Sequence, residues 1–250
     1  MNEKVAIVTG AARPWGLGRA TAMGLAQKGF DIVVADIREE WGTEAVEAIQ
    51  KETGQQAIFV QTNVSKKASA EALMKQAEET LGRIDVLANV AGVVTNERVE
   101  ALTEAATDRV LEINLRGLMF MCQAVIPAMK RAEGGRIVNV SSGGALQPLK
   151  GNAVYAATKA GVIAFTKVLA WEVARHNIVA TTVAPGVVGT NMGKEAGPDE
   201  EIFEQHRSGF PFGRPLHPEE VAEIIVYTAT CPNYSLAGQT LHANAGVYMV

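Results

Sequence analysis

The sequence predicts an α/β fold in one domain, a doubly wound parallel sheet of about seven strands with helices on both faces. Three observations predict it. Short β-branched runs alternate along the whole chain with segments whose apolar residues recur near a 3.6 period. Parallel strands joined by right-handed helical crossovers build an open sheet that gathers ligands at the carboxyl ends of its strands. No Pro/Gly/Ser linker, internal repeat or low-complexity segment divides the 250 residues.

The strand-like runs are "VAIVT" from Val5, "DIVVAD" from Asp31, "AIFVQT" from Ala57, "IDVLANV" from Ile84, "RIVNVSS" from Arg136, "IVATTVAP" from Ile178 and "GQTLHAN" from Gly238. The helical patterns are Gly18 to Lys28, Thr43 to Glu52, Ala68 to Leu81, Thr103 to Lys130, Ala153 to His176 and Pro218 to Thr230. The longest stretch without a strand, Val187 to Pro215, holds five glycines and three prolines and reads as a substrate lid over about 187–215, or else as a surface excursion. Within it Asp199, Glu200 and Glu201 read as the solvated first turn of a short helix.

Composition narrows the function. With 20% charged and 48% hydrophobic residues the chain has the make-up of a soluble globular protein, and a domain of this size buries roughly 70–75% of its unfolded surface. No apolar run near 18 residues stands out, so no membrane partner is expected, and "MNEKVAIV" has no signal-peptide pattern, which makes the cytoplasm the expected location. Cys122 and Cys231 read as reduced packing residues. The net charge of −4 is spread without basic clusters, which argues against nucleic acid. His176, His206, His217 and His242 show no ligand spacing, so no metal is expected. Small-molecule chemistry is the leading class.

After the first run comes "GAARPWGLG", with glycines at Gly10, Gly16 and Gly18 before a helical pattern. A strand, a glycine turn and a helix N-terminus aim backbone N–H groups at a pyrophosphate, although five residues rather than three separate the first two glycines. Asp36, 18 residues beyond Gly18, suits a carboxylate that accepts the hydroxyls of an adenosine ribose; it also suits a strand-end turn or helix cap. A 2′-phosphate about 4 Å from that carboxylate meets repulsion of up to ~4 kcal/mol at an effective dielectric of 20. NAD is therefore expected over NADP, with Arg13 and Arg38 able to offset the difference.

In "SSGGALQPLKGNAVYAATK", Tyr155 and Lys159 are four apart on one helix face, and Ser142 falls at the end of the fifth strand. A nearby ammonium favours the phenolate of a tyrosine and makes it usable as an acid and base. Alone, Ser142 is also a strand-end hydroxyl, Tyr155 a core aromatic and Lys159 a solvated helix residue. At these residues the chain resembles the short-chain dehydrogenase/reductase family from Lys4 to about Gly246. The resemblance rests on Thr9 to Gly18, "NVAG" at Asn89 to Gly92, "INLRG" at Ile113 to Gly117, the Ser142, Tyr155 and Lys159 set, "APGVVGT" from Ala184 and "GRPLHPEEVA" from Gly213.

The resemblance implies a Rossmann-type fold and a tetrad completed by Asn114. Tyr155 would exchange the proton with substrate oxygen, Ser142 would polarise that oxygen, Lys159 would lower the tyrosine pKa and bind the nicotinamide ribose, and Asn114 would hold a relay water. Cofactor contacts are expected from Gly10, Arg13, Trp15, Gly16, Leu17, Gly18, Asp36, Asn63, Val64, Asn89, Ala91 and Gly92, and from Pro185, Gly186, Val188 and Thr190 beside the carboxamide. "TGAARPWGLG" is then the family's phosphate loop with Pro14 and Trp15 added, Trp15 either covering the pyrophosphate or rimming the cofactor entrance, or else standing as exposed bulk. Asn63 stands where the family usually has Asp, and Val90 where it usually has Asn. Substrate contacts are expected from Val94, Leu146, Gln147, Leu149, Asn152 and Met192, with Val93, Pro148, Phe203 and Phe210 nearby, which suits a neutral secondary alcohol and its ketone. The alternatives are an NADPH-dependent 3-oxoacyl-carrier-protein reductase, for which Lys130, Arg131 and Arg175 are candidate docking residues, and a non-catalytic dinucleotide-binding protein. A homotetramer built through the helices around 103–130 and 153–176 is also implied.

Overall fold

The computed structural model describes residues 4–190, 192 and 209–249. Its strands are β1 (Lys4–Thr9), β2 (Phe30–Asp36), β3 (Ala57–Gln61), β4 (Val86–Asn89), β5 (Gly135–Val140), β6 (Ile178–Pro185) and β7 (Thr240–Ala243). They form one sheet in the order β3-β2-β1-β4-β5-β6-β7, and every neighbouring pair is parallel. The helices are α1 (Leu17–Ala26), α2 (Glu39–Thr53), α3 (Lys67–Leu81), α4 (Glu104–Leu111), α5 (Leu118–Arg131), α6 (Ala153–Val173) and α7 (Pro218–Thr230).

Successive strand residues point to opposite faces, and the core divides accordingly. Val5 and Ile7 of β1 share one layer with Val33, Leu87 and Ile137, packed on α3, α5 and α6 through Leu73, Met121, Val125 and Val162. Ala6 and Val8 turn the other way with Ile32, Val34, Ala88 and Val138, packed on α1, α2 and α7 through Leu25, Ile49 and Ile225. A strand covered on both faces has no polar side, which is why these segments read as apolar runs. Each large side chain so buried contributes about 1.5–3 kcal/mol relative to exposure.

Two helices depart from their sequence patterns. α2 begins at Glu39, ahead of the expected Thr43, because its first turn is exposed and carries Glu39 and Glu40, which favour a helix N-terminus without giving any apolar signal. The long pattern from Thr103 is α4 and α5 joined by a π turn, Glu112–Gly117. A Cβ on Gly117 would lie 2.8 Å from the Val64 carbonyl oxygen, so the widened turn presses against the loop after β3. The continuous helix 104–131 and the helix 153–176 have the length and hydropathy of membrane spans, a property the sequence reading did not register. In this fold each lays an apolar stripe on the sheet, through Val125 and Met129 and through Val162 and Leu169.

Of the expected lid, residues up to Thr190, Met192 and those from Gly209 are described, and Val188 is bridged to Leu216 by Leu216 N–H donating to Val187 O at 3.0 Å. Residues 191 and 193–208, with Asp199, Glu200, Glu201, Phe203 and His206, lie outside the described residues.

Gly117→Ala is expected to lower stability by about 1–3 kcal/mol, because the new methyl meets backbone that cannot yield. Urea unfolding with an unchanged slope would show it; a midpoint equal to that of the native chain would contradict the packing described.

Candidate active site

Sheet order reverses at β1: the chain steps from β1 to β2 and β3 on one side, then returns to lay β4 on the other. Loops leaving the carboxyl ends of β1 and β4 diverge there and open a crevice. A cleft of about 1160 Å³ fills it, running from Asp36, Arg38 and Trp41 at one end to Ser142, Tyr155 and Lys159 at the other.

At the first end Gly10 adopts φ +68°, open to glycine, and a Cβ there would lie 2.8 Å from Ala91 Cα. A Cβ on Gly18 would collide with Gly10 O and sit 2.7 Å from its carbonyl carbon. Loop and helix start are thus packed backbone to backbone, with no room for a side chain at Gly10 or Gly18. The two extra residues are looped out by a turn in which Gly16 N–H donates to Arg13 O at 3.0 Å. Trp15 is half-buried and edge-on to Trp41 at 5.9 Å, and Trp41 lines the cleft. The guanidinium groups of Arg13 and Arg38 lie over the Trp41 ring at 5.8 and 4.9 Å. Arg19 supports the loop from beneath, donating to Ala12 O (2.8 Å) and Trp41 O (3.1 Å). Burial lowers its pKa and the neighbouring Glu44 partly offsets that.

Asp36 ends β2 as a turn residue at the mouth of the cleft. Its carboxylate accepts from the N–H groups of Ala12 (3.1 Å), Ile37 (2.7 Å) and Arg38 (3.2 Å), and it also lines the cleft. Asn63 lines the cleft too, and its amide oxygen accepts from Ser65 N–H (3.1 Å) and Ser65 O–H (2.8 Å). Leu17, Val64, Ala91, Gly92, Pro185, Gly186, Val188 and Thr190 line the cleft as well. Asn89 does not: it is buried beneath it, donating to Asn139 Oδ1 at 2.9 Å and to Cys122 Sγ at 3.4 Å. Burial pushes the Cys122 thiol up to about 12.

At the other end β5 delivers Ser141 and Ser142, and the first turn of α6 delivers Tyr155 with Lys159 one turn later. Ser142 Oγ accepts from Gly144 N–H at 3.1 Å. Lys159 is buried, and its ammonium donates to Val140 O at 2.8 Å and lies 5.7 Å from the Tyr155 ring centre. Ser141 Oγ donates to Lys159 O (2.7 Å) and Thr158 Oγ1 to Tyr155 O (2.7 Å), fixing the turn that carries both. Asn114 is placed by the π turn; its side chain accepts from Val93 N–H and donates to Val93 O, each at 2.8 Å. Widened turns of this kind recur at functional sites. Burial pushes the Tyr155 hydroxyl above its ordinary value, with a hydrogen bond to Ser142 pulling it back in part, and burial lowers Lys159 to about 8. In both groups desolvation is the largest cause of the shift.

Of the expected substrate residues, Val94 and Met192 line the cleft. Leu146, Gln147 and Leu149 are exposed beside it, and Asn152 precedes α6 with its side-chain oxygen buried and unbonded among the described residues. Sequence reasoning missed Ile37 and Trp41 as lining residues and Ser141 and Thr158 as supports. Only Ser141 carried a signal, as the first serine of "SS". Lys130, Arg131 and Arg175 precede β5 and β6, at the sheet edge opposite this cleft, where Arg131 pairs with Glu78 at 2.7 Å.

The family model described as short chain dehydrogenase matches residues 4–201. The chain is 36% identical over 250 residues to the 3-oxoacyl-[acyl-carrier-protein] reductase FabG of Vibrio harveyi, covering all of this chain and 99% of that protein. It is 34% identical over 250 residues to the 3-oxoacyl-[acyl-carrier-protein] reductase of Synechocystis sp., covering all of this chain and 98% of that protein. It is 34% identical over 246 residues to FabG of Staphylococcus aureus, covering 98% of each chain.

Lys159 titrates near 8 in the fold against an ordinary 10.5. Between those values the unfolded chain binds the extra proton, so this group's contribution to stability rises with pH; below about 8 both states are charged and its contribution is flat. Lys159→Met is expected to be more stable than the native chain at pH 7, with the difference closing as pH rises from about 8 to 10. Urea unfolding of both chains across that range measures it, and a difference that stays constant or widens would contradict the burial argument.

Proposed function

The chain belongs to the short-chain dehydrogenase family, and on that premise we propose that it moves a hydride between a nicotinamide dinucleotide and a secondary alcohol or its ketone, with Tyr155 exchanging the proton. One observation carries the reading: the glycine loop with Asp36, and the group of half-buried Ser142 with buried Tyr155 and Lys159, occupy the two ends of a single cleft. The close backbone packing that Gly10 and Gly18 permit supports a loop whose backbone N–H groups would meet a dinucleotide pyrophosphate. When bound, the nicotinamide supplies the carbon that gives or takes the hydride.

The chain's own residues do the rest. Gly10, Arg13, Gly16, Leu17 and Gly18 hold the phosphates, Val64, Ala91 and Gly92 border the adenosine half, and Pro185, Gly186, Val188 and Thr190 border the carboxamide. Ser142 donates to the substrate oxygen, and Tyr155 delivers its proton there in reduction or removes it in oxidation. Lys159 has one of its donors on Val140 O, which leaves others for a ribose hydroxyl and for the phenolate. Asn114 holds the loop at Val93 with its side chain and would hold the relay water. Asp36 supports NAD(H), because its carboxylate would repel a 2′-phosphate.

For the carbonyl substrate, the relatives support a 3-oxoacyl thioester, since those at 34–36% identity and near full length are named as 3-oxoacyl-carrier-protein reductases. The neutral walls at Val94 and Met192 suit an acyl chain. A free neutral secondary alcohol is the second reading, favoured by the placement of Lys130, Arg131 and Arg175 on the edge away from this cleft. Val168 and Trp171, exposed on α6, support assembly through 104–131 and 153–176, as a cytoplasmic homotetramer.

Reduced-nicotinamide absorbance, followed with NADH or NADPH and a 3-oxoacyl thioester and with NAD and a panel of secondary alcohols, separates the readings. Tyr155→Phe is expected to lower kcat by about 10²–10⁴ while NADH binding persists; undiminished turnover would remove Tyr155 from the reaction. Asp36→Ser is expected to shift preference towards NADPH by about tenfold or more, and an unchanged cofactor ratio would contradict the role given to its charge.

A further inference from the structure

The turn after β7 carries an aromatic ring to the back of the loop that holds Ser142. Gly143 is buried, and a Cβ built there would fall on the Tyr248 ring, 2.6 Å from its Cζ and its Oη. On the other side, a Cβ on Gly144 would lie 3.6 Å from Tyr155 Cε1. The 143–144 segment is thus held between two tyrosine rings, and its Gly144 N–H is the group that donates to Ser142 Oγ at 3.1 Å. Whatever moves this segment moves the serine hydroxyl.

Tyr248 is itself fixed from three directions. Its carbonyl accepts from Asn244 Nδ2 at 2.9 Å, its hydroxyl lies 3.4 Å from Ala184 O, and His242 of β7 meets its ring edge-on at 5.9 Å. Asn244 Oδ1 closes the turn by accepting from Gly246 N–H at 2.9 Å. A Cβ on Gly186 would lie 2.9 Å from Asn244 Cα, so the same turn also backs the loop after β6. Tyr248 is not among the residues lining the cleft, and a contribution to the reaction can come only through what it supports.

We propose that Tyr248 is a positioning residue for the proposed reaction: its ring seats the Gly143–Gly144 peptide so that Ser142 Oγ faces the Tyr155 hydroxyl. The inference rests on the reading that Ser142 and Tyr155 form the reacting end. Its physical content is tight packing with no slack: displacing reacting groups by about 1 Å costs up to a hundredfold in rate, while the dinucleotide cradle at Gly10 and Gly18 lies at the far end of the cleft and is untouched.

The test uses the full chain with Tyr248→Ala, Tyr248→Phe, Gly143→Ala and the Gly143→Ala/Tyr248→Ala double variant. Tyr248→Ala is expected to lower kcat on the order of tenfold while the Kd for NADH, read by its fluorescence, stays within about twofold; Tyr248→Phe, which keeps the ring, is expected to restore the native rate. Ser142 draws the Tyr155 pKa down, so loss of that contact shifts the rising limb of the pH profile for alcohol oxidation to higher pH in Tyr248→Ala. Gly143→Ala and Tyr248→Ala break one contact from its two sides, so the double variant is expected to be no slower than the slower single variant. Rate losses that multiply, an unshifted pH limb, or a native kcat in Tyr248→Ala each overturn the proposal. A native chain without turnover, or a Tyr155→Phe variant as active as the native chain, overturns the underlying reading instead and the inference with it.

Discussion

The structure depends first on a constraint of parallel sheets: each strand is entered from the same edge, so the chain must cross over between neighbours and both faces become covered. Once β1 has been flanked by β2 on one side and β4 on the other, the loops at their carboxyl ends part, and nothing in the sheet fills the gap. The cleft is therefore a product of topology, and the chemistry is whatever side chains those loops present. Gly10 and Gly18 keep its floor free of side chains, Thr9 Oγ1 ties it to the next strand by accepting from Val90 N–H (3.0 Å) and Ala91 N–H (3.1 Å), and Asp36 closes its far end.

Burial then sets the electrostatics. An ammonium at Lys159 is held away from water by the same packing that fixes its turn, and its charge-assisted bond to Val140 O does not repay the lost hydration. The result is a lysine lowered to about 8 beside a tyrosine pushed above its ordinary value, so that their proton affinities move apart. Desolvation disfavours the charged form of each, the ammonium of Lys159 and the phenolate of Tyr155 alike.

Much of this was legible in the sequence, for identifiable reasons. β6 and α7 begin and end where their patterns do, because β6 is buried on both faces and α7 opens on Pro218, with Glu220 accepting from His217 N–H at 2.7 Å. Ser142, Tyr155, Lys159 and Asp36 were recognisable because chemistry restricts which residue types can stand there. The π turn at Asn114 left no trace, since one widened turn does not disturb a periodic pattern long enough to detect. Trp41 under the Arg13 guanidinium and Tyr248 against Gly143 are contacts between residues 28 and 105 positions apart, and periodicity carries no information about such pairs.

The central claim is that this cleft brings a dinucleotide and a substrate carbonyl together at Tyr155. Its most direct test is isotopic: NADH carrying deuterium at the transferring position is incubated with the chain and a 3-oxoacyl thioester or a neutral ketone, and the alcohol formed is examined by mass spectrometry and NMR. The account predicts one deuterium on the new carbinol carbon. An alcohol formed without deuterium from fully labelled NADH, or NADH that binds while no carbonyl substrate is ever reduced, would contradict it.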